Sequence, residues 1–304
     1  MPAELHPLHW DAESLWEQLE PLLPGVSVEV VARTESTNTR LLERARQSSG
    51  QRDAPITRPG QLEDDAGATP RSPYGRRQGD TQPCLLVAEH QTRGRGRLGR
   101  DWQASPGLSL TFSLSLPLAP REWSGLSLAV GVALADALDA PGAQPARIGL
   151  KWPNDLWLVD GPGRGRKLGG ILIETVAVGG SRMCVVGVGL NVLPQPTEGL
   201  ANGFACLAEL DPGASAPKAL ALLAQPLARA LLRFGHEGFA PFAQAYARRD
   251  LLQGQRITTT LANVPEGLAE GVDEHGALRV RTSTGEHRLV SGEVSVRLQG
   301  ADPC

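Results

Sequence analysis

Between Glu89 and Trp102 lies an Arg/Gly segment in which Arg93, Arg95, Arg97 and Arg100 alternate with Gly94, Gly96 and Gly99, four cations and three glycines within eight residues. Glycine lets backbone N–H groups approach an anion closely, and guanidinium forks bind phosphate or carboxylate oxygens in pairs, so this segment is suited to gripping negative charge. A second cluster, Lys151-Trp152-Pro153-Asn154-Asp155, sets an ammonium beside a turn carrying an amide and a carboxylate. That donor set suits a nucleotide with its Mg²⁺, because magnesium takes few protein oxygens and completes its shell with phosphates and water. Lys167-Leu168-Gly169-Gly170 places a lysine at a strand mouth, followed by glycines against which a ligand can lie.

Taken singly, each segment has an ordinary explanation. The Arg/Gly run can be a solvated linker or an RNA-binding tract, and the Asn-Asp pair a plain turn beside a packed tryptophan. Lys167 can be an exposed lysine entering a strand, Gly187-Val188-Gly189-Leu190-Asn191 a close-packed strand, and Ser36-Thr37-Asn38 a helix N-cap. None of the six histidines is spaced as a metal pair, and Cys84, Cys184, Cys206 and Cys304 are scattered, so no zinc site is expected and a reduced cytoplasm fits.

These residues must be held by a sizeable fold. The chain has 304 residues, enough for about two domains, with 41% hydrophobic and 21% charged residues. Thirty-three acidic against 30 basic residues leave a formal charge of −3, so there is no global basic field and any anion site must be local. The N-terminus lacks the pattern of a signal peptide, and the most apolar helical stretch, Leu126 to Leu138, is too short to cross a bilayer.

Periodicity predicts a short helix after Asp11, a strand around Val26 to Val30, and a helix after Ser36-Thr37-Asn38. Residues 48–83, rich in proline and glycine and without apolar period, read as a mobile insertion. Strands follow at Cys84 to Ala88, Leu108 to Leu116, beside Lys151, at Leu168 to Val176 and at Met183 to Val192. Helices are expected at Leu126 to Leu138, Ala216 to Gly235 and Phe239 to Ala247. From Gln255 onward five short β segments, near Ile257, Gly267, Leu278, His287 and Val294, suggest a small barrel. The domains expected are therefore 1–253 and 254–304. About 25 residues before the first strand hold one helix, too few for a helix-turn-helix, so no DNA partner is expected.

In this order the segments resemble the bacterial biotin protein ligases, whose signatures are Ser-Thr-Asn, Gly-Arg-Gly-Arg-X-Gly-Arg, Lys-Trp-Pro-Asn-Asp and Lys-Leu-X-Gly-Ile. The likeness runs from about Val28 to Leu298, the insertion excepted, and is closest to the ligase-only members without a DNA-binding module. Leu98 departs from it where a basic residue is common, and Gly169 where alanine is common.

The resemblance implies an α+β fold: a mixed, largely antiparallel sheet with helices on one face, like a class II synthetase core, plus the small C-terminal β-barrel. It implies an enzyme that uses ATP and Mg²⁺ to make biotinyl-5′-AMP and then acylates a lysine of a biotin carboxyl carrier protein. It admits a homodimer, without membrane attachment.

By the same resemblance Ser36, Thr37, Asn38, Gln91, Gly94, Arg95, Gly96, Arg97, Lys167, Gly170 and Gly187 would contact biotin. Arg97, Arg100, Trp102, Lys151, Asn154 and Asn191 would contact ATP or the adenylate. Asp155 and Asn154 would hold Mg²⁺. Arg97, Arg100, Lys167 and Asp155 would be catalytic, with Asp155 open between metal ligand and general base. The Arg/Gly loop is expected to be disordered without ligand and to close over it, because glycines and mutually repelling arginines disfavour a fixed form. The alternatives are a lipoate or octanoyl ligase or transferase, disfavoured by the Gly-Arg-Gly-Arg loop, and an RNA-binding protein, which would leave the two lysine motifs without a purpose.

Overall fold

The computed structural model describes residues 8–47, 81–139, 145–195, 203–290 and 296–298. The proline- and glycine-rich stretch from 48 to 80, and Cys304, lie outside the described residues.

Asp11 caps α1 (Ala12–Leu19), its carboxylate accepting from the Ser14 N–H at 3.4 Å. There follow β1 (Ser27–Thr34), α2 (Thr37–Gln47), β2 (Cys84–Gln91), the two-residue strands β3 (Gly94–Arg95) and β4 (Asp101–Trp102), β5 (Ser109–Pro117) and α3 (Leu126–Leu138). Next are β6 (Ile148–Lys151), β7 (Asp155–Gly161), β8 (Arg164–Val178), β9 (Ser181–Asn191), α4 (Ala216–Glu237) and α5 (Ala243–Ala247). The C-terminal strands are β10 (Arg256–Thr259), β11 (Glu266–Val272), β12 (Leu278–Thr282), β13 (Gly285–Leu289) and β14 (Val296–Leu298), the last starting two residues beyond Val294.

Seven strands form one sheet in the order β1-β2-β5-β9-β8-β7-β6, in which only β1 and β2 run parallel. The fold is thus α+β with a mixed, largely antiparallel sheet. The strand alternation decides what each face holds. Leu110, Phe112, Leu114 and Leu116 of β5, with Val186, Val188 and Leu190 of β9, point into the main core beside residues of α1, α3 and α4. The opposite face carries Ser109, Thr111, Ser113 and Ser115, opposite Asn191, Gly189, Gly187 and Val185. α2 lies on this second face, with Leu41 and Leu42 packed among Cys84, Leu86 and Val185. The one-sided helix layer therefore comprises α1, α3 and α4, and α2 is an addition on the other side.

The five C-terminal strands make an antiparallel sheet ordered β13-β12-β11-β10-β14, with no pairing recorded between β13 and β14 among the described residues. The segment between α5 and β10 is fastened to the large sheet by Arg249, 5% exposed at its side chain. Its guanidinium bonds Asp136 and Asp139 at the end of α3 and the Ile148 carbonyl of β6. Cys84, Cys184 and Cys206 are buried free thiols. Burial pushes Cys84 up to about 11 and Cys184 to about 12, so neither is a ready nucleophile at neutral pH. No helix among the described residues is long and apolar enough to cross a membrane.

Candidate active site

A cavity of about 360 Å³ opens on the α2 side of the large sheet. Gly187, Gly189 and Asn191 of β9 line its floor, and the four sequence motifs meet over it.

The first part is a hydrogen-bonded cluster without formal charge. Ser36 caps α2, its Oγ accepting from the Thr39 N–H at 3.4 Å, which leaves Thr37 and Asn38 to face the floor. The Thr37 N–H donates to Gln91 Oε1 at 2.7 Å, and the Thr37 hydroxyl lies 3.1 Å from the same oxygen. Ser113 Oγ sits 2.6 Å from both Thr37 Oγ1 and Asn38 Oδ1. Because Asn38 Oδ1 only accepts, the Ser113 proton belongs to that bond, and Thr37 must choose between Gln91 and Ser113. Gly187 permits this arrangement: a Cβ there would lie 2.3 Å from Asn38 Oδ1. Glycine at 187 therefore makes room for a protein amide, where the sequence reading expected room for ligand.

Two residues along β9 the character changes. A Cβ on Gly189 would fall 2.4 Å from the Trp102 ring, so this glycine seats the tryptophan. Lys167 Nζ stands 5.8 Å over that ring and donates to Asp155 Oδ1 at 2.8 Å. Gly170, where a Cβ would meet Asp155 and Lys167 at an ordinary 3.5 Å, lines the same wall. Asn154 donates to the Ile171 carbonyl at 2.7 Å and accepts from Arg97 at 3.3 Å. Burial lowers the basicity of Arg97, but a guanidinium remains charged at any relevant pH. Trp102 Nε1 is buried with no hydrogen-bond partner among the described residues.

The Arg/Gly segment forms a hairpin, Gly94 opposite Trp102 and Arg95 opposite Asp101. The Gly96 N–H bonds the Arg100 carbonyl at 2.7 Å, and Leu98 turns the tip at φ 57°. Arginine repulsion is offset by separate partners: Arg93 with Glu35, Arg95 with Glu174, Arg97 with Asn154. Of the proposed biotin contacts, Gly94 alone falls off the cavity wall. A Cβ there would meet the Trp102 carbonyl at 2.3 Å, so it serves the hairpin.

Two further residues play other parts than the sequence suggested. Lys151 stands opposite Asp155 across β6 and β7, as the turn implies, but its ammonium donates to the Val296 carbonyl of β14 at 2.8 Å, while the carboxylate takes Lys167. Burial, the largest cause, pulls the Lys151 ammonium down to about 8. Asn191 lines the cavity but spends both amide hydrogens on the Lys167 and Ala205 carbonyls, clamping the loop after β9. Trp152, wholly buried after β6 and followed by a cis peptide to Pro153, donates to the Gly276 carbonyl at 3.2 Å.

Sequence reasoning missed Ser113, Glu174, Phe204 and the β14 pair Val296 and Arg297. Ser113 had a signal: serines and threonines alternate through a strand whose residues are buried on both faces, and such a polar face needs a partner. Among the described residues no group of three or more His, Cys, Asp or Glu side chains converges as a metal site.

Residues 76–191 match the model of the biotin/lipoate A/B protein ligase family, and residues 253–297 match that of the biotin protein ligase C-terminal domain. The biotin–[acetyl-CoA-carboxylase] ligase of Mycobacterium tuberculosis is 32% identical over 277 residues, 88% of this chain and 84% of that protein. The chain belongs to the biotin protein ligase family. The Paracoccus denitrificans biotin–[acetyl-CoA-carboxylase] ligase, 31% identical, shares 69% of this chain and 88% of its own length with this family member. The bifunctional ligase/repressor of Escherichia coli is 33% identical over 69% of this chain, and the chain spans 65% of that longer relative. In fold, the biotin protein ligase of Aquifex aeolicus, solved in complex with biotin and ATP, superposes with a TM-score of 0.64. It has 24% identity and covers 90% of this chain and 99% of its own.

Proposed function

We propose that this biotin protein ligase family member activates biotin with ATP, giving biotinyl-5′-AMP and pyrophosphate, and passes the biotinyl group to a lysine of a biotin carboxyl carrier protein. The observation that carries this reading is the division of one cavity into two chemistries along β9. At Gly187 stands the neutral donor and acceptor cluster of Gln91, Thr37, Ser113 and Asn38, and at Gly189 the tryptophan, lysine and arginine group. A ureido ring offers N–H donors and a carbonyl acceptor to the first. A lipoyl dithiolane offers neither and would leave buried polar groups unpaired, at about 1–3 kcal/mol each.

In the first step the biotin carboxylate attacks the α-phosphorus and pyrophosphate leaves. Two anions must meet, so Arg97, Arg100, Lys151 and Lys167 would hold the carboxylate and phosphates and stabilise charge as it spreads over the phosphoryl oxygens. Lys167 would exchange its Asp155 partner for a ligand oxygen. Trp102 would stack on the nucleotide and present its buried N–H. Asp155 and Asn154 would hold Mg²⁺, which would supply neutralisation of the phosphate charge. In the second step the carrier amine attacks the mixed anhydride and AMP leaves. Asp155 would take the amine proton where it is not engaged by the metal.

We further read the chain as two units, 1–253 and 254–304, acting in the cytoplasm. The test is ATP–pyrophosphate exchange with biotin and lipoate side by side. Biotin-dependent exchange is expected, and exchange driven by lipoate alone, or by neither acid, would overturn the reading.

A further inference from the structure

We propose that Glu174, outside the cavity wall, is a positioning residue that ties the Arg/Gly hairpin to the neutral recognition cluster. The inference rests on the function proposed above. Glu174 lies on β8, and its two carboxylate oxygens are divided between two elements. Oε1 accepts from Arg95 Nη2 at 2.7 Å, and Oε2 from Asn38 Nδ2 at 3.0 Å. The other Arg95 nitrogen, Nη1, donates to Thr39 Oγ1 at 3.0 Å, so β8, the start of α2 and the hairpin strand β3 meet at one carboxylate.

The Asn38 end gives this tie a chemical consequence. Asn38 Nδ2 has two hydrogens, one for the Leu172 carbonyl at 3.1 Å and one for Glu174. With both committed, the amide oxygen is fixed toward Ser113 and over Gly187. Without the Glu174 acceptor, one amide hydrogen loses its bond and the flipped amide, oxygen outward, becomes competitive. At the other end, the Arg95 side chain is 44% exposed and that of Glu174 22%. An ion pair this open adds little stability by itself. Its effect here is to hold the hairpin over the cluster, so that one carboxylate sets both the recognition amide and the cover above it. The polar contacts of Arg97, Lys167 and Asp155 described above run to Asn154 and to one another, so phosphate handling should be affected far less.

The experiment uses the full chain in three forms: wild type, Glu174→Gln and Glu174→Ala. Exchange is measured against biotin and against ATP, thermal melting confirms folding, and trypsin cleavage at the hairpin arginines is followed without substrates. Glu174→Gln keeps an acceptor for Asn38 but loses the charge facing Arg95. It should raise KM for biotin about fivefold and speed hairpin cleavage, and Glu174→Ala should raise that KM beyond tenfold. In both, KM for ATP and kcat should stay within about twofold. In an Arg95→Ala background, Glu174→Gln should no longer change cleavage. Unchanged KM for biotin in melted-normally variants, or a loss confined to kcat, would overturn the role of Glu174 alone. Absence of biotin-dependent exchange in the wild type would overturn the functional reading, and unchanged hairpin cleavage would then dispose of the tie as well.

Discussion

The Lys151 ammonium donates to the Val296 carbonyl at 2.8 Å, joining residues 145 positions apart and placing a site lysine of the large sheet on the last described strand of the small one. It also stands 5.2 Å over the Trp157 ring. A cation in such a place keeps its proton less firmly than one in water, hence the fall from 10.5 to about 8.

The lowered value predicts an alkaline limb. Lys151 loses its charge as pH rises through about 8, so kcat/KM for ATP in the exchange reaction should decline with an apparent pKa near 8. The stability contribution has the opposite sign: between about 8 and 10.5 the unfolded chain holds a proton that the fold has shed, so this group favours folding more as pH rises. A profile flat to pH 9.5, or the same limb in Lys151→Met, would contradict the assignment.

Arg97→Ala and Lys167→Ala should each reduce adenylation by about 10²-fold or more, because under the proposed function each would remove a charge that stabilises the developing phosphoryl oxygens. Both side chains lie at the cavity and not in the core, so melting temperatures should move by only a few degrees. Pyrophosphate release near the wild-type rate in either variant refutes its catalytic role.

The two floor glycines should fail differently. Gly187→Ala pushes on Asn38 and should raise KM for biotin at least tenfold, whereas Gly189→Ala pushes on Trp102 and should act mainly on KM for ATP. Steady-state titration of each substrate decides, and identical effects from the two substitutions would show that the cavity is not divided as proposed.

Asp250 carries a cost of burial. Its Oδ1 accepts from the Leu252 N–H at 2.9 Å, but Oδ2 and the neighbouring Tyr246 hydroxyl are buried without partners among the described residues. Burial raises the carboxyl from 3.8 to about 6. The folded state therefore prefers the proton, and the stability this confers below pH 3.8 is lost as pH rises through about 6. Asp250→Asn should remove that slope and gain about 2 kcal/mol at pH 7, read from denaturant unfolding at pH 4 and pH 7. Equal pH dependence in both proteins would exclude the explanation.

The alternation of Leu110, Phe112, Leu114 and Leu116 made β5 legible from sequence, because period 2 with one apolar face is an unambiguous strand signal. The four motifs were legible as residue types, and the cavity collects nearly all of them. What stayed hidden depends on contacts between distant segments. Nothing near Trp152 announces Gly276, 124 residues away, and nothing near Gly187 tells whether its missing Cβ spares a ligand or Asn38. The hairpin of the Arg/Gly segment was obscured for the same reason, since its anchor, Glu174, lies 79 residues beyond Arg95.

The seam at Gly276 bears on how this enzyme family diversifies. Gly276 has φ +81°, a Cβ on it would lie 2.6 Å from the Gly125 Cα, and its carbonyl receives the Trp152 indole. A chimaera that borrows the C-terminal segment of a relative would inherit a foreign bend at this spot. Unless the graft restores a carbonyl in the same register, the tryptophan would lose its acceptor and the neighbouring lysine its alignment. A crossover that keeps both sides of the seam from one parent should therefore preserve the Trp152 bond that a graft ending between them would put at risk.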